Sequence, residues 1–405
     1  MNHYASGMFF DKGGRHYAIA KYMRREGYSP VVFCCNSKHG GNELFFEDIG
    51  LFIVKKDEEI DVPFVFVKGR PYSGNGKNRV LNMADFYFNV QRTAKIYAKN
   101  HGKPDVIYAS SVHPLTLVAG IKLARYFGVK CICEVRDLWP ESLVAYGILG
   151  SNNPVVVAMR WLEKWIYKKS HRVIFTAAGT YKYIQEQGWE KICPKSKTVY
   201  VNNGVDLEVF NDNKNTYHLT DDDLEEEKTF KIIYTGSVRK VNDVGKILDI
   251  AKTITNKSVK FLIWGDGDEL DVLKKRILDE NIDNVVFKGR VDKKYIPYIT
   301  SKADINFAHN QSSYMFKYGI SFNKLFDYLA AGKVILCDFE CEYNPVIMGK
   351  AGISVDSGRK EDIARTIEKI VNMDNKEKEM LGLASKKLAE EYDYRILTKK
   401  IIRMV

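Results

Sequence analysis

Apolar residues along this chain come in two rhythms. Short unbroken runs at 31–35, 64–67, 104–109, 129–135, 172–176 and 197–201 read as buried strands. Between them, helices over 15–26, 81–99, 115–127 and 154–169 carry apolar positions that recur every three or four residues. The same alternation restarts later, with strands at 231–234, 260–264, 285–291, 303–308, 333–336 and 353–355, and helices over 243–254, 324–331, 360–371, 376–391 and 392–405. Residues 2–6 read as the tail of a first strand. Strand and helix alternating twice over predict an α/β chain of two Rossmann-like, doubly wound domains, 1–206 and 230–391. The polar stretch 207–229, with its acidic run Asp221 to Glu227, reads as a solvated linker.

Chemistry concentrates in FKYGISFNKLFDYLAAGKVIL, residues 316–336. A polar loop enters a short helix that Gly332 stops before a strand. The first turn of such a helix leaves amide N–H groups without partners at the positive end of its dipole, where an anion is the natural ligand. Lys324 adds a full charge there, and Asp327, one turn on, is an acceptor suited to a diol. Phosphate beside a diol describes a nucleotide. An ordinary amphipathic helix kept soluble by its Lys and Asp is the competing explanation.

The segment resembles the nucleotide-sugar-binding helix of the retaining glycosyltransferases of family 4, and among them the bacterial surface-polysaccharide enzymes with S-x-N-K-L-x-[DE]-Y-x-A-x-G-K. That resemblance implies the GT-B fold, two domains facing across a cleft, with the last helix, about 392–405, returning to the first domain. It implies that Asn323, Lys324, Leu325 and Asp327 hold the sugar donor. Many relatives carry a second acid eight positions before Asp327, where this chain has Gly319.

Other loops join the same picture. Thr235-Gly236-Ser237-Val238-Arg239-Lys240 leaves a strand, and two cations beside a helix start suit a diphosphate; the resemblance assigns Arg239 and Lys240 to the donor phosphates, with Gly236 allowing close approach. Arg290 ends the strand whose counterpart in the family cradles the base. Gly13-Gly14 before a helix is similar to the family's glycine loop, which places Gly14 at the diphosphate; a simple turn explains it equally. His113 stands at a strand end before a Pro-started helix, where open α/β sheets collect ligands. Glu134-Val135-Arg136-Asp137-Leu138-Trp139-Pro140-Glu141-Ser142 resembles the family's acceptor-side signature, implying roles for Arg136, Asp137 and Glu141. Pairing of Asp137 and Glu141 with Arg136, or helix capping, is the structural alternative. The basic, Gly-rich loop 68–79 is either a solvated connector or an acceptor-side element. Gly265-Asp266-Gly267-Asp268 lacks the third glycine of a dinucleotide fingerprint, and its acids read as helix caps.

At 405 residues, two domains are expected. A net charge of +11 calls for an anionic partner. Without an RNA-binding signature, zinc finger or Arg-rich tail, nucleic acid is set aside in favour of phosphorylated substrates or an acidic membrane. Seven cysteines without disulfide or metal spacing suggest reduced thiols in the cytoplasm. The helix 154–169 combines two Trp with a Lys cluster, so core packing and peripheral docking on the inner face of an anionic membrane both stay open. The expected activity is retaining transfer of a sugar from a nucleotide diphosphate, UDP-linked, to a polyprenyl-diphosphate-linked saccharide in capsule or O-antigen synthesis, with no cofactor and no required metal. His113 would lie near the donor sugar and Asp137 would orient the acceptor. A UDP-sugar 2-epimerase of the same fold and a non-catalytic scaffold are the alternatives.

Overall fold

The computed structural model describes residues 1–74 and 76–405; Asn75, inside the basic loop 68–79, lies outside the described residues. The chain divides into two compact units, Met1–Asn202 with Tyr394–Val405, and Asn203–Asp393.

In the first unit, β1 (Val32–Cys35), β2 (Phe52–Asp57) and β3 (Val62–Val67) form one sheet in the order β1-β3-β2, and β4 (Val106–Ser110), β5 (Lys130–Val135), β6 (Arg172–Phe175) and β7 (Thr198–Tyr200) form a parallel sheet in that order. Residues 1–3 join their edges. The Asn2 amide donates to the Phe33 carbonyl (3.0 Å), the Cys35 amide to that of His3 (3.0 Å), and the Ser110 amide to that of Met1 (2.9 Å). The extended segment ends at His3, short of the predicted 2–6, because Ser6–Phe10 coils into a helical turn whose Ser6 hydroxyl bonds the Cys35 carbonyl. Strand β2, antiparallel to β3, has no counterpart in the apolar pattern: Val54, Lys55 and Lys56 are exposed at the sheet edge. The helix Tyr394–Ile402 belongs to this unit, burying Tyr394, Leu397 and Ile401, and its Lys399 reaches Glu26 at 3.4 Å.

The second unit is a six-stranded parallel sheet, ordered β10-β9-β8-β11-β12-β13, from β8 (Phe230–Thr235), β9 (Val259–Trp264), β10 (Val285–Gly289), β11 (Ile305–Ala308), β12 (Val334–Cys337) and β13 (Ile353–Ser354). Its central strands are buried almost throughout and mostly apolar, because helices cover both faces.

The solvated linker expected over 207–229 is corrected. Its helices Leu207–Thr216 and Asp222–Glu225 bury Phe210 and Leu224 in the second unit. Its acidic run is anchored, with Lys288 bonding Asp221 and Asp223 (2.7 Å each) and Lys260 bonding Asp223 (2.7 Å). The boundary also falls earlier than 206, since the Asn203 side chain donates to the Ser321 carbonyl (2.7 Å) and the Val205 amide to that of Tyr392 (3.1 Å).

Candidate active site

In the second unit the carboxyl ends of β8, β11 and β12 converge on the helix Asn323–Ala331. Leu325, Phe326, Tyr328 and Leu329 bury one side of it, which leaves Asn323, Lys324 and Asp327 on the other. Phe322 precedes the helix and offers no side-chain cap to its first amides. The Tyr328 hydroxyl accepts from the Thr235 amide at 2.8 Å, pinning the helix to the end of β8. Lys324 sits with its ammonium 4.2 Å from the centre of the Tyr234 ring and donates to the His309 carbonyl. Burial pulls its pKa down to about 7. Burial likewise pushes the Asp327 carboxyl up to about 7, against the opposing pull of Lys293. Asn323 is exposed. Leu325 is a correction: its side chain is wholly buried in the core, so it supports the helix and has no side-chain surface for a ligand.

The loop after β8 is built for close approach. The Gly236 amide donates to the Trp264 carbonyl (3.0 Å), and the Val238 amide to the Asp266 carbonyl (2.9 Å). A Cβ on Gly265 would stand 1.7 Å from the Gly236 carbonyl oxygen, and one on Gly267 2.1 Å from that of Val238. These glycines therefore let two loops touch, while Asp266 accepts from the Gly267 amide (2.8 Å). Val238 is buried, and Arg239 and Lys240 beside it are exposed. Arg290 is exposed just beyond β10. Gly319 has φ +101°, a left-handed conformation that disfavours the acid many relatives place there.

In the first unit His113 occupies the position before the helix Pro114–Phe127, with no side-chain capping bond, and is 1% exposed. Its Nε2 lies 2.6 Å from His3 Nδ1. Burial, helped by nearby Arg79, lowers its pKa to about 3, so the ring is neutral. Asp137 is exposed, and with Trp139, Pro114, Leu117 and Tyr167 it lines a small cavity. The Arg136 amide donates to the Ser111 hydroxyl (3.0 Å), and its side chain is half-buried. Glu141 is buried and takes two bonds from Arg160 on one oxygen (2.9 and 2.7 Å); its partner is Arg160, not Arg136. Gly14, at φ +95°, turns the chain into the helix Arg15–Arg25. The next residue, Arg15, is buried, paired with Glu134 and bonded to the carbonyls of Val201 (3.0 Å) and Asn202. Glu134 also accepts from Ser110 (2.7 Å) and Tyr108; burial raises its pKa, but Arg15 outweighs that and holds it at about 2.

Residues 16–209 match the family model described as Glycosyltransferase Family 4, and residues 218–387 match the one described as Glycosyl transferases group 1. Together they span most of the chain. This protein belongs to the family 4 glycosyltransferases. The glycosyltransferase is 24% identical over 313 residues to a probable glycosyltransferase, WbjE, of Pseudomonas aeruginosa, covering 74% of each chain. Its fold matches sucrose-phosphate synthase from Thermosynechococcus elongatus with a TM-score of 0.72 at 14% identity, over 96% of this chain and 92% of that one. It also matches Anabaena Alr3699/HepE, solved in complex with UDP-glucose, with a TM-score of 0.64 at 14% identity over 96% and 95% of the two chains. The fold is accordingly GT-B.

The sequence reading of this glycosyltransferase missed His309 and Asp338, which stand at the ends of β11 and β12. The strand-end rule that singled out His113 applies equally to His309. Among the described residues no helix is long and apolar enough to cross a membrane. On the helix Pro154–Lys169, Trp161 is 76% exposed and shares a face with Val157, Lys164 and Lys168, all exposed, so the stripe that bears Trp161 is not core.

Proposed function

We propose that this glycosyltransferase moves a sugar from a UDP-linked donor to a polyprenyl-diphosphate-linked saccharide in surface-polysaccharide (capsule or O-antigen) assembly, with retention of anomeric configuration. One observation carries the reading: an uncapped helix start, a half-buried lysine and two exposed cations gather at the strand ends of one unit, in a chain of this family. The first-turn amides of the helix Asn323–Ala331, with Lys324, Arg239 and Lys240, would take the diphosphate, and Asp327 the ribose diol. Negative charge grows on the diphosphate as it leaves, and these groups neutralise it without reorganising. Gly236 and Gly14 would allow backbone approach, Asn323 would add a polar contact, and Arg290 would flank the base. The UDP and UDP-glucose complexes of the structural relative support a UDP-linked donor.

In the first unit the exposed Asp137 would orient the acceptor hydroxyl, and a neutral His113, held against His3 and 1% exposed, would support the loop after β4. Arg136 would add charge for the acceptor diphosphate. Glu141, engaged by Arg160, would act by holding the Asp137 loop rather than by touching the acceptor. The exposed Trp161, Lys164 and Lys168 support peripheral contact with an anionic membrane that carries such an acceptor. Incubation with nucleotide sugars and lipid-linked acceptors tests the whole reading. UDP release that requires acceptor is expected; isomerised free donor would mark an epimerase, and absence of nucleotide binding a non-catalytic scaffold.

A further inference from the structure

We infer that His309 is a positioning residue that sets the diphosphate-binding loop and Lys324 relative to one another from the end of β11; this rests on the donor-site reading above. His309 is fully buried, and three of its polar groups reach three different segments. Its Nε2 lies 2.8 Å from the Asp243 carbonyl. Its Nδ1 lies 2.6 Å from the Asp338 carboxylate, which Lys246 also approaches at 3.4 Å. Its own carbonyl accepts from the Lys324 ammonium.

The chemistry of these partners fixes the roles. A backbone carbonyl only accepts, so Nε2 carries a proton and donates to Asp243. Burial works against ionisation of Asp338, but His309 and Lys246 together hold it below the usual carboxylate range, so a carboxylate faces Nδ1 as the second partner of the ring. The ring is strung between two segments by its two nitrogens. What it grips in Asp243 is the foot of the cationic loop. Asp243 adopts the left-handed conformation (φ +50°), and its amide donates to the Lys240 carbonyl (3.1 Å), while the Asn242 amide donates to that of Arg239 (2.8 Å). The tight turn that presents Arg239 and Lys240 thus closes on the residue that His309 holds. An ordinary core histidine needs no such pair of fixed partners, one of them at the foot of the cationic loop.

Calorimetric binding of UDP and of uridine to the full chain separates positioning from simple support of the fold. In His309→Leu, which keeps bulk but loses both ring nitrogens, UDP should bind about tenfold more weakly, with uridine binding within about twofold of the parent protein. His309→Gln, which can still donate once, should fall between. An equal loss for uridine and UDP, or no loss for either, would overturn the inference while leaving the donor site standing. A parent protein that binds UDP no better than uridine would overturn both. Should His309→Leu fail to fold, the UDP-to-uridine ratio of His309→Gln decides on the same terms.

Discussion

Lys324 rests its ammonium 4.2 Å from the centre of the Tyr234 ring, with the His309 carbonyl as its hydrogen-bond acceptor. A ring face and a carbonyl stabilise a cation less well than an anion does, which leaves this lysine poised for a phosphate. Lys324→Ala should weaken UDP binding by about 1.5–3 kcal/mol with little change in thermal stability. Titration calorimetry checks it, and unchanged affinity would count against the site.

The same lysine couples binding to protons. With its pKa at about 7, it is largely neutral in the ligand-free protein above that pH, and a diphosphate draws a proton onto it. UDP affinity should therefore decline as pH rises from about 7 toward the ordinary lysine value of 10.5. Asp327, raised to about 7, works in the opposite sense if it ionises to accept the diol, so the comparison with Lys324→Met isolates the lysine. Calorimetry in buffers of different ionisation enthalpy should show more protons taken up by the parent than by that variant; equal uptake would refute the assignment.

Glu163 gives a stability signature in the first unit. It accepts from the Tyr167 and Tyr183 hydroxyls at 2.6 Å each, yet burial lifts its pKa from 4.5 to about 8. A raised folded-state pKa contributes stability that is complete below 4.5 and lost as pH climbs through about 8. Urea midpoints should fall across that window, and Glu163→Gln should flatten the slope. A variant with the parent's pH profile would contradict this origin.

Tyr328→Phe removes the acceptor of the Thr235 amide, a buried donor at the end of β8. Leaving it unmet should cost about 1–3 kcal/mol of unfolding free energy. Chemical denaturation provides the measurement, and a cost near zero would mean another acceptor takes over.

If protein groups alone neutralise the leaving diphosphate, sugar transfer should persist in excess EDTA. Loss of activity that added magnesium restores would reassign that charge to a metal.

The strands of both units were legible as unbroken apolar runs because a parallel sheet covered on both faces has no polar side to advertise. β2 escaped for the converse reason: an edge strand with Lys55 and Lys56 outward reads as loop. The acidic stretch around Asp221 looked solvated because composition does not reveal that Lys260 and Lys288, far along the chain, come to meet it. At the candidate site the local motif around Lys324 was readable, since helix start, cation and acid are sequence neighbours. The pairing of His309 with Asp338 was not, because adjacent parallel strands make it rather than spacing, although the strand-end place of His309 was open to the same rule as His113. The pairing of Glu141 with Arg160 was hidden in the same way.

The chain leaves the first unit after Asn202 and re-enters it at Tyr394, and the Val205 amide bonded to the Tyr392 carbonyl holds the outgoing and returning segments side by side. The second unit is thus an insertion, stitched shut at its own base. During synthesis the first unit lacks its closing helix until the whole insertion has been made, so the later half of the polypeptide has the opportunity to fold before the earlier half can be finished.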